Sequence, residues 1–189
     1  MEPVIEILAK KDVGSFYPVF AQALKQEFPC YSQTLTSFFL EKVYTPTNFI
    51  YWLNYDLKTI IVVKNNSEII GFAVIDQPYG GVSFCRWLAV LPAYQKKGLG
   101  RKLINAWIEL AQSQKCHKVE LASQPIAKKF YEKVDLTNEG ERKLSYFGVD
   151  QTVFGKIIGP LNEEENNIKY QISRPEGDRP LDENIKKKD

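Results

Sequence analysis

The chain has 189 residues, 44% of them hydrophobic and 25% charged, with a formal net charge of +2. That length suffices for one domain with a real core and no staples. A charge so near zero argues against a general binder of nucleic acid or membrane surfaces. Cys30, Cys85 and Cys116 are odd in number and widely spaced, and His117 is the only histidine. A disulfide framework, a metal site and most histidine-based catalysis are therefore not expected.

The first residues lack the basic and apolar regions of a signal peptide, and the longest apolar runs, such as 69–75, are too short to span a bilayer. A cytoplasmic location and no membrane partner are the default expectations. Residues 4–8 alternate apolar and charged side chains and predict an edge-type strand. Over 12–28 the spacing of Phe16, Val19, Phe20, Ala23, Leu24 and Phe28 is helical, with Asp12 as N-cap and Pro29 as the stop. A second helix is predicted over 32–44, with Leu35, Phe38, Phe39 and Val43 on one side, and a shorter one over 47–55.

The period then changes. Residues 59–63, 69–75 and 82–90 predict three strands joined by short polar or Gly-containing turns, which implies an antiparallel meander. The sequon Asn65-Asn66-Ser67 fits the first of these turns better than a glycan site. Cys85, within the third strand, reads as a small hydrophobe, and His117 as a surface or structural residue. Residues 98–114 carry Leu99, Leu103, Trp107, Leu110 and Ala111 at helical spacing, and 119–122 predict a further strand. Strand, helix and strand make a crossover unit, so 82–90 and 119–122 should run parallel. The predicted class is α/β with a mixed, mostly antiparallel central sheet flanked by helices and one parallel strand pair around a βαβ crossover. A helix over 125–133 and strands near 143–147 and 152–158 complete a domain of residues 1–159. Residues 160–189 read as a polar, partly disordered tail, with Ile168, Tyr170 and Ile172 as its few apolar anchors.

Two short blocks carry the chemistry. Gln95-Lys96-Lys97-Gly98-Leu99-Gly100-Arg101 joins a strand to a helix. Amides at a helix start have no intrahelical partner, and the dipole adds partial positive charge there. With Lys96, Lys97 and Arg101 around it, such a turn suits a diphosphate, although similar turns occur in many α/β proteins. It is not a P-loop, since no Gly-Lys-Ser/Thr ends it, and Leu103 stands where a dinucleotide fingerprint needs its third glycine. The second block is Gln124-Pro125-Ile126-Ala127-Lys128-Lys129-Phe130-Tyr131-Glu132-Lys133, a predicted helix with Ile126, Ala127, Phe130 and Tyr131 toward the sheet. Taken alone, Tyr131 reads as an amphipathic core residue.

Together the blocks resemble the GNAT superfamily, the Gcn5-related N-acetyltransferases. Gln95 to Gly100 matches their Gln/Arg-x-x-Gly-x-Gly/Ala loop, and Gln124 to Lys133 matches Asn-x-x-Ala-x-x-Phe-Tyr-Glu-Lys with Gln for Asn. The resemblance covers 69–158 and is weak before it. Val134-Asp135-Leu136 replaces the frequent Leu-Gly-Phe, and Asp tolerates a left-handed turn.

The resemblance implies acetyl transfer from acetyl-CoA, as cosubstrate and without a metal, to an amine acceptor through a tetrahedral intermediate. It implies that the strand 82–90 splays from its parallel neighbour to admit the pantetheine arm, bonded by the main chain of Leu88 and Val90. An N–H at Leu88 or Ala89 would hold the oxyanion. Gln95, Lys96, Lys97, Gly98, Leu99, Gly100 and Arg101 would hold the pyrophosphate, and Gln124 and Ala127 would complete the cofactor contacts. Tyr131 stands at the family's general-acid tyrosine. A leaving thiol near pKa ~8.5 and a phenol near ~10 make donation feasible in a dry site.

An alkylamine near pKa ~10.4 is only about one part in two thousand neutral at pH 7, so a proton acceptor is needed. Phe84 stands where some relatives carry glutamate; Asp76, Glu120 or a water chain remain open. The first two helices and a late loop would build the acceptor site, with Phe16, Tyr17, Phe28, Tyr31, Phe38 and Tyr146 as candidate wall residues, most of them expected in the core. Acceptor candidates are small amines, amino acids, antibiotics and protein amines. The alternative is a catalytically silent module that binds acyl-CoA as a sensor or structural ligand. A tail-centred interaction through Lys186-Lys187-Lys188 is weakened by Glu163-Glu164-Glu165, and a homodimer stays open.

Overall fold

A computed structural model describes residues 2–163. The apolar tail positions Ile168, Tyr170 and Ile172 and the lysine cluster at 186–188 lie outside the described residues. Seven strands, β1 (Val4–Ile7), β2 (Lys58–Asn65), β3 (Glu68–Asp76), β4 (Val82–Val90), β5 (Lys118–Ser123), β6 (Thr137–Arg142) and β7 (Gln151–Ile157), form one sheet in the order β1-β2-β3-β4-β5-β7-β6. β4 and β5 pair parallel, and the other neighbours pair antiparallel. The α/β class with its mixed, mostly antiparallel sheet is as the sequence predicts.

Both faces of the sheet are covered, which is why β2 and β3 read as unbroken apolar runs. Ile60, Val62, Phe72, Val74 and Trp87 pack with Phe16, Phe20 and Leu24 of α1 (Val13–Gln26) and with Phe49 and Leu53 of α3 (Pro46–Asn54). Ile61, Val63, Ala73 and Ile75 pack on the other face with Leu103, Ile104, Trp107 and Ala111 of α4 (Leu99–Ser113). Trp107 Nε1 donates to Ser83 Oγ at 2.9 Å, pinning α4 over the start of β4.

Several local expectations shift. Asp12 does not cap α1 with its side chain; its carboxylate lies 3.8 Å from Lys64 Nζ. The side-chain caps are Ser32, which accepts from Leu35 N, and Thr45, which accepts from Asn48 N ahead of Pro46. The second helix is split into α2 (Gln33–Phe38) and a π turn over Phe39–Val43, so Phe39 is buried while Phe38 is exposed. The helix expected over 125–133 is a 3₁₀ turn, Pro125–Ala127, followed by α5 (Lys128–Tyr131), and Ile126 points to solvent.

The strand expected near 143–147 is instead β6, six residues earlier. Its Thr-Asn-Glu-Gly-Glu-Arg sequence is exposed throughout and held by the β7 ladder, so no apolar alternation announces it. The apolar stretch that suggested a strand, Leu144 to Phe147, lies in the connecting loop, with both named residues at positive φ. Asn66, at φ +57°, closes the β2–β3 hairpin, and Asp135 takes the left-handed turn at φ +62°.

Candidate active site

Two irregularities in β4 make the cleft. Val74 pairs with Trp87 and Ile75 with Cys85, so Arg86 is an inserted bulge residue that re-phases the strand. Cys85 and Leu88 therefore belong with the α4 face, and Trp87 and Ala89 with the α1 face. The parallel pairing with β5 stops at Cys85 and Leu121. Beyond that point the strands part. Leu91 N donates to Ile70 O, so by alternation the main-chain groups of Leu88 and Val90 face away from β3, toward the parted side. Ala89 turns its main chain to β3 instead, opposite Phe72.

The resulting cavity holds about 760 Å³. Of the residues singled out in the sequence, Leu88, Ala89, Val90, Gln95, Lys96, Gly98, Leu99, Gly100, Arg101, Gln124, Ala127 and Tyr131 line it. Lys97 does not. Its ammonium reaches Ala93 O at 3.1 Å and sits over the Tyr94 ring.

The loop at one end is shaped by its glycines and by Gln95. Gly98 adopts φ +79° immediately before α4, a conformation an L side chain strains to reach. Gly100 serves a different purpose: a Cβ there would meet Phe130 Cζ at 2.8 Å, so its bare backbone lets α4 and α5 close together. Gln95 Nε2 donates to Val90 O at 2.9 Å and to Glu27 Oε2 at 2.6 Å, tying the loop to the end of β4 and of α1. Arg101 Nη2 donates to Lys133 O, which holds its guanidinium at the rim. The first-turn amides of α4 and the charges of Lys96 and Arg101 thus converge on one end of the cavity.

Tyr131 lies on the same wall, buried and with its ring 4.9 Å from Phe130. At the far end the wall is aromatic. Trp87 is its hub, with ring centroids at 4.9 Å from Phe28, 6.0 Å from Tyr31, 6.0 Å from Phe39 and 5.3 Å from Tyr44. Phe147 closes over Phe39 at 4.9 Å. An anion-binding helix start, an open strand edge and a buried phenol in one groove suit a long phosphorylated thioester.

A model of the family described as Acetyltransferase (GNAT) family matches residues 21–135, more than half of the chain. The chain belongs to the GNAT acetyltransferase family. No curated protein matches it by sequence. Among solved structures it is similar to PaiA N-acetyltransferase from Thermoplasma acidophilum in complex with coenzyme A, at TM-score 0.70 and 17% identity over 83% of this chain and 99% of that one. It is also similar to YncA from Salmonella typhimurium with its cofactor acetyl-CoA, at TM-score 0.67 and 17% identity, covering 85% and 96%. A third is ribosomal-protein-alanine N-acetyltransferase from Brucella melitensis, at 0.64 and 18%, covering 82% and 99%.

The electrostatics of this GNAT cleft follow from the burial of its titratable side chains. Burial, and then the nearby Cys85 thiol, push the Tyr131 phenol far above its ordinary pKa. Burial, and then the field of Asp76, push the Cys85 thiol up as well; its Sγ donates to Trp87 O at 3.5 Å. Both groups stay protonated at neutral pH.

Neither carboxylate left open as a base lines the cleft. Asp76 is held by Lys58 and by Arg86, whose Nη2 lies 2.5 Å and Nε 2.9 Å from Oδ2. Glu120 lies 3.0 Å from Lys118 Nζ. Phe84 sits under the Arg86 guanidinium at 4.6 Å.

Of the candidate acceptor-wall residues, Phe28, Tyr31 and Tyr146 line the cavity. Phe16 is fully buried core, Tyr17 donates to Leu40 O at 3.0 Å, and Phe38 faces outward. Phe39, Tyr44, Trp87, Phe147 and Gln151 complete that wall and escaped sequence reasoning. Trp87 reads as one more strand residue until the bulge turns it, and Gln151 carries no motif. No helix among the described residues is long and apolar enough to cross a membrane.

Proposed function

We propose that this chain, through its domain of residues 1–159, transfers the acetyl group of acetyl-CoA to an amine by direct attack through a tetrahedral intermediate. The observation that carries the proposal is the open main-chain edge of Leu88 and Val90, which runs from the α4 start toward Tyr131. The amides of Gly98 to Arg101, with Lys96 and the Arg101 guanidinium, hold the pyrophosphate. Leu88 and Val90 bond the pantetheine arm as a β-strand edge bonds an added strand, with Gln124 and Ala127 beside it.

Of the two N–H groups considered for the oxyanion, that of Leu88 is on the open edge and is the donor that polarises the thioester carbonyl. The amine nitrogen attacks the carbonyl carbon, the C–S bond breaks, and its electron pair goes to sulfur. Tyr131 gives the sulfur a proton. The proton lost by the amine passes through cleft water and returns the phenolate to phenol. The burial that raises the Tyr131 phenol also raises the basicity of the departing thiolate, which keeps the gap between their reference values of ~10 and ~8.5 from widening.

The test is free-thiol release from acetyl-CoA across a panel of amines. Amine-dependent release is expected with at least one of them. Saturable coenzyme binding with no amine-dependent release would mark the silent module instead.

A further inference from the structure

The bulge in β4 also puts a charge on the wall of the cleft. Arg86 is the residue inserted between the Val74–Trp87 and Ile75–Cys85 pairs, so its side chain leaves the alternation of the strand and lines the cavity beside the aromatic wall. Two neighbours fix it there. The Phe84 ring lies 4.6 Å from the guanidinium carbon, and Asp76 Oδ2 accepts from Nε at 2.9 Å and from Nη2 at 2.5 Å. Among the described residues, Asp76 takes all the hydrogen bonds that the guanidinium donates. The Nη1 edge is left open. A guanidinium clamped in one orientation with a free edge is a fork for an acid group.

The charge there is not cancelled. Asp76 is shared, with Lys58 Nζ on its Oδ1 and Arg86 on its Oδ2. Two cations against one carboxylate leave one positive charge in excess. Its field reaches the cleft: burial raises the Tyr31 and Tyr44 phenols and the Cys85 thiol, and the Arg86 charge is among the influences that pull each back. No acid on the wall offsets it. Among the described residues the only carboxylate lining the cavity is Glu27, and Gln95 Nε2 bonds it at the coenzyme end. Lys96, Arg101 and Lys133, the other lining cations, stand at that end as well. The aromatic end therefore presents apolar rings and one unbalanced cation.

We infer that Arg86 selects the acceptor: the amine that reaches the thioester also carries an anionic group, which the open Nη1 edge holds while the apolar portion of the molecule meets the aromatic wall. The inference rests on the acetyl-transfer reading and narrows its acceptor. Polyamines are disfavoured, because a second ammonium would meet like charge with no carboxylate to offset it.

The experiment uses the full chain, acetyl-CoA and five acceptors. They are L-phenylalanine and para-(aminomethyl)benzoate, which carry a carboxylate near the amine and far from it, their two carboxamides, and a linear triamine. Thermal protection by coenzyme A is recorded in parallel. Each carboxamide keeps the shape of its acid without the charge, and its amine is the less basic of the pair, so basicity works against the expected order. In the wild type at least one carboxylate should exceed its carboxamide in kcat/KM by at least about tenfold, the worth of one charge-assisted hydrogen bond. Arg86→Met, whose stem still covers Phe84, should lower that ratio by at least about tenfold, chiefly through the acceptor KM. Arg86→Lys should retain more of the ratio than Arg86→Met. The wild-type order decides alone should either variant lose protection by coenzyme A. A wild-type preference for the carboxamides or the triamine would overturn the inference. So would an unchanged ratio in a protected Arg86→Met, or no turnover of any acceptor while coenzyme A still protects. Absence of that protection in the wild type would instead overturn the acetyl-transfer reading beneath it.

Discussion

Tyr131 shows how one side chain changes meaning with its surroundings. In the sequence it sits at a spacing that suits a core residue. In the fold it is buried, yet it lines the cleft beside Cys85. If it is the proton donor, Tyr131→Phe should lower turnover by about 10²-fold with coenzyme A affinity nearly unchanged, as read by single-turnover kinetics and a binding titration. Unchanged turnover with chemistry rate-limiting would remove it from that role. Its raised pKa also fixes the alkaline behaviour. A donor that keeps its proton well above its ordinary range gives no falling limb in kcat between pH 7 and 10, so a fall within that window at constant folding would contradict the assignment. Gly98 was legible as a turn glycine, whereas Gly100 was legible only as part of a pattern, because its reason, the approach of Phe130, lies in tertiary structure.

The informative elements are β4, α4 and β6. The α4 stripe of Leu99, Leu103, Trp107 and Ala111 predicted its buried face because one side of a helix meets the sheet. The strand β4 was equally plain in extent, but its bulge at Arg86 was not. A one-residue insertion changes which face Trp87 meets without altering any local preference. β6 was missed for the opposite reason, since an exposed edge strand needs no apolar pattern. Where two elements meet, the glycine is testable. Gly100→Ala should cost about 1–2 kcal/mol of stability as Phe130 is pushed off α4. It should raise the acetyl-CoA KM as well, because the same shift disturbs the loop. Denaturant unfolding and steady-state kinetics check both, and a fully stable variant with wild-type KM would show that α5 is not held by that contact.

At the scale of the molecule, the sheet separates two cores, and the cleft opens where its one parallel pair comes apart. The meander, the crossover and the loop were legible because each rests on short-range patterns. The aromatic end was legible only in part: Phe28, Tyr31 and Tyr146 were candidates from the sequence, whereas Phe39, Tyr44, Trp87 and Phe147 join them from segments far apart in the chain. That assembly has a consequence for stability. Cys85, Tyr31, Tyr44 and Tyr131 all hold their protons more tightly folded than unfolded. The unfolded chain releases them first, from about pH 8.5 for the thiol and about 10 for the phenols. Stability is therefore full below that range and falls as pH rises through it. Tm measured from pH 7 to 11 should decline above about pH 9, and a flat or rising Tm would contradict the buried, protonated cluster. The central claim is that the groove between the parted strands seats coenzyme A with its phosphates at the start of α4. Isothermal titration of coenzyme A into the full chain tests it most directly: saturable one-to-one binding, weakened by Gly98→Val, is the predicted result, and no heat at millimolar coenzyme would contradict it.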